Sequence, residues 1–241
     1  MTTKLTPVGV AWDAWMTQRS GSALVTRRQR ERLAALVAHA RARSPFYAEH
    51  YDRLSAGLGS IEDLPSVTKL ELMDRFDDWV TDPEVRRSDL ERWIGDLSHL
   101  GQDYLGRYLI CTTLRKLRHA RDPGARSSRA LTPARSFCWL RNRRHIQPAF
   151  LGSAGETLTF AARQQIESAF ACAIIDLYNA TEVNGSTFVC RDGAMHYSAD
   201  WFIFERIDDH QRPVPLGAPS YSLPVTNLAN YVQPIIRYEI G

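Results

Sequence analysis

The sequence lacks any apolar run that approaches the length of a membrane-spanning segment. A helix needs roughly 20 consecutive apolar residues to cross the hydrocarbon core of a bilayer. The N-terminal stretch MTTKLTPVGVAWDAW also lacks the apolar core of a secretory signal. We therefore expect a soluble, cytoplasmic protein without a membrane partner.

Cysteine is scarce, with four in 241 residues and neither a CxxC pair nor the density of a disulfide framework. This usage favours a reduced compartment. Cys190 and His196 flank an Asp-Gly turn, but two ligands are too few for a tetrahedral metal site. We interpret them as a half-buried cysteine and a strand histidine, and we expect no tightly bound metal. The seven histidines show no arrangement typical of a nucleophilic triad.

Acidic residues are almost absent from one segment. Residues 114–145 hold nine arginines and one lysine against a single acid, Asp122, whereas 1–113 carry a net charge of −1 and 146–241 a net charge of −5. Arg, Ala, Pro, Ser and Gly fill 19 of the 32 positions in this segment, and no apolar period is present. The composition predicts a disordered, basic linker, and the rest of the chain gives no global case for nucleic-acid binding.

An alternative is that this basic segment is an RNA-binding module. Its cations stand among Phe137, Trp139 and two histidines, which could hold RNA through charge and stacking. The arginines share no face, however, and match no RNA-binding signature. We rank a nonfunctional junction first and do not expect a nucleic-acid partner.

The N-terminal third is predicted to be helical. Leu33, Leu36, Val37 and Ala40 recur at three- and four-residue spacing, which predicts a helix over 25–43 that ends at the Ser-Pro that follows. Two capping boxes follow this helix, because a hydroxyl is followed three residues later by a glutamate in TKLE and in SDLE. The sequence therefore predicts helix starts at Thr68 and Ser88.

The last third alternates between elements. Thr159 is predicted to cap a helix through Phe170, and ACAIIDLY is predicted to be a buried strand. STFVC and AMHYSADWFIFERI read as strands around an Arg-Asp-Gly turn, and SYSLPVTNL and PIIRYEI supply two more. Asp200 and Glu205 are expected to face solvent. The order of elements predicts a mixed α/β fold.

We divide the chain into a helical N-terminal portion (1–113), the basic linker (114–145) and an α/β portion with hairpin strands (146–241). The chemistry is expected in the last portion. YNATE, from Tyr178 to Glu182, follows a predicted strand and offers a ring for stacking, a hydroxyl for a phosphate and a carboxylate for Mg²⁺. On these residues alone, an ordinary polar turn would be the favoured interpretation.

Two further sequence blocks favour a ligand-binding interpretation of YNATE over an ordinary turn. GSAGETLT lies one helix upstream of YNATE, and TNLANYVQPIIRYEIG closes the chain. In this order the blocks resemble the adenylate-forming superfamily, in particular its phenylacetate–CoA ligase and coenzyme F390 synthetase branch. ARSPFYAEHY, IEDLPSVTK, FDDWVTDPEVRRSDLERWI and GQDYLGRYLICTT in the N-terminal portion are similar to the same branch. The resemblance covers about 1–113 and 146–241.

The resemblance implies part of an adenylate-forming N-terminal domain and a two-step reaction. A carboxylate attacks the α-phosphate of Mg-ATP to give an acyl-adenylate and pyrophosphate, and a thiol, usually CoA, then takes the acyl group. In the F390 branch, AMP is instead transferred to a deazaflavin. The implied partners are a nucleotide and a small carboxylic acid, and the implied cofactors are Mg-ATP and CoA.

The resemblance also implies roles for individual residues. Tyr178 would stack on adenine, and Asp176 would accept a hydrogen bond from its exocyclic amine. Thr181 would bond a phosphate oxygen, and Glu182 would help to hold Mg²⁺. The remaining cofactor-binding candidates are three residues that would wall the adenine pocket, the asparagine that replaces the family's usual glycine, and the arginine that precedes the ribose position. In that order they are Ala154, Gly155, Glu156, Asn179 and Arg237.

Three departures from the family pattern predict impaired activity. Thr112 and Thr113 are followed by a basic stretch with no glycine before Gly124, where the family has a glycine-rich loop and a lysine that grip pyrophosphate. The elements expected between that loop and SAGE are replaced by 114–145. The chain also stops at Gly241, before the family's ribose aspartate and its mobile C-terminal domain. We therefore expect a truncated and internally deleted copy with little or no adenylation.

The competing interpretation is a noncatalytic protein that retains nucleotide binding through 152–182. The sequence leaves open whether this chain is an enzyme, which acid it would use and whether AMP would pass to an acyl group or to a deazaflavin.

Overall fold

The computed structural model describes residues 7–54, 59–99, 102–108, 110, 149–154, 158–183, 185–190 and 192–240. Thr112, Thr113 and the basic linker lie outside the described residues. The chain forms two compact units, one built from 1–109 and 198–241 and the other from 110–197. The mixed α/β class predicted from the sequence is confirmed, while the predicted domain division at 113 and 146 stays a prediction.

The first unit begins with helix α1 (Pro7–Arg43), which is interrupted by non-helical backbone at Gly21. The apolar stripe predicted from its spacing is buried: Leu33, Leu36, Val37 and Ala40 are at most 6% exposed. α1 ends where predicted, and Ser44 then caps helix α2 (Pro45–His50) through its side chain. Proline at the first position of α2 costs no hydrogen bond, because that N–H has no helical partner.

Helices α3 (Lys69–Asp74), α4 (Phe76–Trp79) and α5 (Arg87–Gly95) follow. The capping box at Thr68 is confirmed: the Glu71 carboxylate accepts from the Thr68 N–H at 2.7 Å, and Thr68 Oγ1 accepts from the Glu71 N–H at 3.4 Å. The prediction of a second box at Ser88 is wrong. The Asp77 carboxylate accepts the Arg87 N–H at 2.8 Å, so α5 already begins one residue before Ser88.

The sheet of this unit is antiparallel. It consists, in this order, of β5 (Phe202–Phe204), β6 (Leu223–Asn227) and β7 (Ile235–Ile240). Pro234, just before β7, is held by the helical region, since its carbonyl accepts from Tyr47 Oη at 3.0 Å and from Trp79 Nε1 at 2.8 Å. Val67 forms a parallel bridge with Tyr238 of β7. These long-range bonds join the first and last parts of the chain into one unit.

The second unit contains β1 (Phe150–Ala154), α6 (Phe160–Phe170) and β2 (Ala173–Leu177), and β1 and β2 are parallel. The helix cap predicted at Thr159 is confirmed, because Thr159 Oγ1 accepts the Ala162 N–H at 3.2 Å. The strand predicted over ACAIIDLY is present as β2, but the prediction that it is buried is wrong. Only Ile174 of β2 is buried, because among the described residues a single helix covers one face of this strand pair.

A hairpin completes the second unit. β3 (Thr187–Val189) and β4 (Met195–Tyr197) are antiparallel around the predicted Asp-Gly turn, where Gly193 has a φ of 77°. The predicted long run AMHYSADWFIFERI is split between β4 and β5, because the Trp201 and Phe202 N–H groups bond the Ser198 carbonyl and form a turn. Among the residues that the structure describes, no helix has the length and apolar character needed to cross a bilayer.

Candidate functional site

The candidate site lies at the carboxyl edge of the β1–β2 pair. Ser153 and Asp176 are register partners, and Ala154 and Leu177 form the last pair of the two strands. Parallel strands end at the same edge, and open α/β sheets bind ligands in the crevice beyond that edge. The chain segments that leave β1 and β2 therefore start side by side.

Helix α6 fixes the position of β2. Ile166 and Phe170 form a buried cluster with Ile174 of β2. The backbone of Ile174 is also held by side chains of α6: its N–H donates to Glu167 Oε1 at 3.3 Å, and its carbonyl accepts from Arg163 Nη1 at 2.7 Å. These two bonds satisfy strand groups that would otherwise be open to another strand.

The loop after β2 is tied down at both ends. Thr187 Oγ1 donates to the Tyr178 carbonyl at 2.6 Å. Thr181–Val183 form a 3₁₀ turn, whose Val183 side chain is fully buried and anchors the loop. Gly185 has a φ of 75°, which lets the chain reverse into β3 at little steric cost. The segment that carries the YNATE residues is thus held on the strand pair.

Tyr178 combines accessibility with an electrostatic contact. Its side chain is 37% exposed, so part of the ring is available for stacking. Partial burial raises the pKa of its phenol above the ordinary value, and the negative charge of Glu182 raises this pKa further. The charge of Glu182 therefore acts on the Tyr178 phenol at this edge.

The predicted site residues fall into three groups. Asp176, Tyr178, Asn179, Thr181 and Glu182 lie together on β2 and the loop that follows it. The backbone of Ala154 ends the neighbouring strand, whereas Gly155 and Glu156 lie outside the described residues. Arg237 belongs to the other compact unit.

Arg237 is buried, and its hydrogen-bond partners belong to its own compact unit. A β-bulge between β6 and β7 gives it a φ of 47°, and its N–H donates to Thr226 Oγ1 at 2.9 Å. The guanidinium forms an ion pair with Glu205, with Nε 3.1 Å from Oε2 and Nη2 3.0 Å from Oε1. The Nε contact is a well-aligned hydrogen bond, whereas Nη2 has no well-aligned acceptor. Nη1 also donates to the carbonyls of Glu62 and Leu64.

The expectation that Asp200 and Glu205 face solvent is wrong. Glu205 is enclosed by its pairing with Arg237, and burial raises its pKa while the Arg237 charge opposes that rise. Asp200 is 8% exposed, and its carboxylate lies 3.3 Å from Arg32 Nη1. Both partners are more than 30 residues away in the sequence, so no local pattern could have indicated these contacts.

The carboxylate of Glu182 is the candidate ligand for a Mg²⁺ that arrives with a nucleotide. Within the described ranges, no three His, Cys, Asp or Glu side chains cluster as a metal-binding group. Mg²⁺ is usually held by one or two protein carboxylates together with substrate phosphates. A single carboxylate at Glu182 fits that mode of binding.

No protein-family model and no curated protein matches the chain. Solved structures of 2-hydroxyisobutyryl-CoA ligase do match. An open conformation with 2-HIB-AMP and CoA has a TM-score of 0.57 and 19% identity, and the match covers 87% of this chain and 67% of that one. A thioesterification-state complex with 2-HIB-AMP and CoA has a TM-score of 0.60 and 18% identity, covering 91% and 63%.

A postadenylation-state complex with R3-HIB-AMP gives a TM-score of 0.56 at 19% identity and covers 87% of this chain and 60% of that one. The fold matches part of an adenylate-forming ligase fold. The chain spans 60–67% of the length of these three structures. The predicted part of an adenylate-forming fold is confirmed, and the low identity limits that conclusion to the fold.

Proposed function

We propose that this chain carries the nucleotide-binding part of an ATP-dependent carboxylate–CoA ligase. The observation that carries the proposal is the position of Tyr178 and Glu182 in the loop directly after the parallel strand β2, where the charge of Glu182 helps to raise the pKa of the Tyr178 phenol. The likeness to ligase structures that contain an acyl-AMP and CoA supports a nucleotide, a small carboxylic acid and CoA as ligands.

Each residue at this edge has a role in the proposal. The Tyr178 ring stacks on adenine, and Asp176 accepts from the exocyclic amine. Asn179 lies in the chain between them and the phosphate site, and its φ is not in the left-handed region that the family's usual glycine would allow. Residues 154–156 wall the adenine from the side of β1.

The phosphate end of the site uses the 3₁₀ turn. The Thr181 hydroxyl is exposed and donates to a phosphate oxygen, and Glu182 is the candidate ligand for the Mg²⁺ that accompanies ATP. When bound, that ion offsets negative charge on the phosphates. The carboxylate substrate would attack the α-phosphate at this end. Arg237 stays a candidate on the family resemblance alone, because in the structure it belongs to the other unit and pairs with Glu205.

The finer assignment is to the phenylacetate–CoA ligase and F390 synthetase branch, and it rests on the ordered sequence blocks. CoA is favoured over a deazaflavin as the second substrate, because the solved structures with this fold are CoA ligases. The second candidate is a noncatalytic nucleotide-binding protein. It is favoured by the basic stretch after Thr113, which lacks the glycines that let backbone N–H groups close on pyrophosphate.

We therefore propose that adenylation by this chain is weak or absent while nucleotide binding is retained. The test is ATP–pyrophosphate exchange with a panel of aryl and alkyl acids, with Glu182→Ala as the matched control. Exchange at the level of the control supports impaired chemistry. Robust exchange that is lost in Glu182→Ala would overturn the impairment and establish the ligase.

A further inference from the structure

A cavity of about 760 Å³ lies within the first compact unit, which does not include the β1–β2 pair. One wall is formed by side chains of α1 between residues 26 and 34, a second by the segment 59–62, and a third by β5 and the chain that follows it. Ligand pockets usually measure roughly 300–1,000 Å³. The cavity therefore has the size of a small-molecule site.

The walls of this cavity are tied together by hydrogen bonds. Gln29 Nε2 donates to the Ala199 carbonyl at 2.5 Å and so joins α1 to the chain just before β5. The Val214 N–H donates to the Arg206 carbonyl at 2.9 Å, which joins the two chain segments of the third wall. Because these elements are already held in place, a ligand would not have to order them on binding.

Part of the cavity lining is apolar. Leu33 of α1 and Ile207 are 5% and 1% exposed, and Ile203 and Phe204 of β5 are half-buried. Transfer of a hydrocarbon or aromatic group from water onto such a surface is favourable. The lining therefore suits a ligand with an apolar body.

Two of the acidic side chains at the cavity are already neutralised by arginines. Glu205 is paired with the buried Arg237, with 3.0 Å between Oε1 and Nη2. Glu31 lies opposite Arg27 one helical turn earlier, with 3.6 Å between Oε1 and Nε. Neither carboxylate therefore brings an uncompensated negative charge to the cavity.

The cations at the cavity are not neutralised in this way. Arg30 and Arg206 both line it, and neither guanidinium has a carboxylate partner within the part of the chain that the structure describes. The remaining acidic residue of the lining is Glu62, whose carboxylate accepts from Ser60 Oγ. Two arginines against one glutamate leave an excess of positive charge. A guanidinium presents a planar set of donors that matches a carboxylate or a phosphate.

We propose that this cavity binds a small amphipathic anion, with its carboxylate or phosphate held by Arg30 and Arg206 and its apolar chain or ring against Leu33, Phe204 and Ile207. Binding is reversible and makes no covalent bond. The ligand needs both parts, because an inorganic anion lacks the apolar body and an uncharged hydrocarbon lacks the head group. The site is separate from the proposed nucleotide site, since its lining belongs to the other compact unit.

The first experiment is titration calorimetry of the full chain with three probes of equal chain length, each below its micelle-forming concentration. The probes are octanoate, octyl phosphate and octylammonium. We expect at least one of the two anions to bind and octylammonium not to bind, and added salt should weaken the anion because part of the attraction is electrostatic. The preferred head group distinguishes a free acid from a phosphate ester. No binding of either anion, or preferential binding of octylammonium, would overturn the proposal.

The second experiment tests the head-group contacts with the anion that binds best. Arg30→Gln and Arg206→Gln should each weaken binding by roughly tenfold or more, because each removes a charged hydrogen-bond donor. Arg43→Gln is the matched control, since Arg43 is exposed on the same helix and does not line the cavity. Glu62→Gln should tighten binding, because it removes a like charge. Unchanged affinity in either cavity arginine variant would refute the head-group site.

The third experiment locates the ligand. Ala34→Trp should abolish binding by filling the cavity, whereas Ala35→Trp should leave it unchanged, because both alanines are exposed on α1 but only Ala34 lines the cavity. Circular dichroism checks that both variants fold. Tyr178→Ala should retain full affinity for the anion, which separates this site from the proposed nucleotide site. Equal affinities in the two tryptophan variants, or loss of anion binding in Tyr178→Ala, would contradict the proposal.

Discussion

Ser153 and Asp176 are register partners across β1 and β2, one residue before each strand ends. This pairing places Ser153 and Ala154, the described residues of the SAGE block, beside the end of the strand that precedes YNATE, although the two blocks are more than 20 residues apart in the sequence. The pairing follows from the parallel β1–α6–β2 connection, which returns the chain to the same edge. It is the observation on which the proposal of one shared site rests.

The electrostatic effect of Glu182 on Tyr178 can be tested without a ligand. In Glu182→Gln the pKa of the Tyr178 phenol should fall, because a negative charge that opposes formation of the phenolate is removed. It should stay above the ordinary value, because burial is the larger cause of the shift. An ultraviolet difference titration against Tyr178→Phe isolates this phenol from the other tyrosines.

The control for that titration is Asp209→Asn, which removes an exposed carboxylate in the other unit and changes the net charge equally. Asp209→Asn should leave the pKa of the Tyr178 phenol unchanged. An identical titration curve in Glu182→Gln and in the unmodified protein would contradict the proposed site geometry.

The buried ion pair of Arg237 predicts an asymmetric response to mutation. Arg237→Met should lower the free energy of unfolding by about 3–5 kcal/mol, because it leaves the Glu205 carboxylate buried without its partner. The double variant Arg237→Met/Glu205→Met should recover part of that loss. Urea unfolding followed by circular dichroism measures both values.

The stability lost in Arg237→Met should depend on pH in a defined direction. Without Arg237 the folded-state pKa of Glu205 rises further above its unfolded value of about 4.3, since burial is no longer opposed. The penalty of Arg237→Met is therefore full above the folded pKa and shrinks as the pH falls through it. Arg212→Met, at an exposed pair with Asp208, should cost at most about 1 kcal/mol at any pH. Equal losses at Arg237 and Arg212 would refute the structural role.

The two predicted capping boxes give a matched pair of substitutions. Thr68→Ala should cost about 1 kcal/mol of unfolding free energy, because it removes the acceptor for the Glu71 N–H. Ser88→Ala should stay within about 0.5 kcal/mol of the unmodified protein, because Ser88 is exposed and does not cap α5. Urea unfolding of both variants checks the difference, and equal costs would contradict the observed helix starts.

The features that sequence reasoning predicted correctly are local. The cap at Thr159 and the turn at Gly193 each depend on residues within a few positions, so their chemistry is visible in the sequence. At Ser88 the local pattern failed, and there the Asp77 carboxylate from α4 accepts the Arg87 N–H at the start of α5.

The features that were missed depend on residues distant in the chain. Nothing near Glu205 indicates that Arg237 will reach it, since the contact requires the antiparallel order of β5, β6 and β7 and a bulge that turns Arg237 inward. Within the candidate site, YNATE could be found because its residues are contiguous. The SAGE block, which begins on the paired strand β1, was assigned to the site from family resemblance rather than from periodicity.

The central claim is that the edge of β1 and β2 binds a nucleotide through Tyr178 and Glu182. Titration calorimetry with Mg-ATP and with AMP should detect binding. Tyr178→Ala should weaken both ligands by roughly tenfold, because loss of base stacking costs about 1–3 kcal/mol, while Tyr178→Phe should retain most of the affinity. Glu182→Ala should weaken Mg-ATP more than AMP.

Tyr221→Ala is the matched control, since Tyr221 is 75% exposed and belongs to the other unit. The decisive measurement is therefore the affinity of Tyr178→Ala for Mg-ATP beside that of Tyr221→Ala. We predict a loss of about tenfold in Tyr178→Ala and no change in Tyr221→Ala. Equal affinities in the two variants, or no binding by the unmodified protein, would contradict the claim.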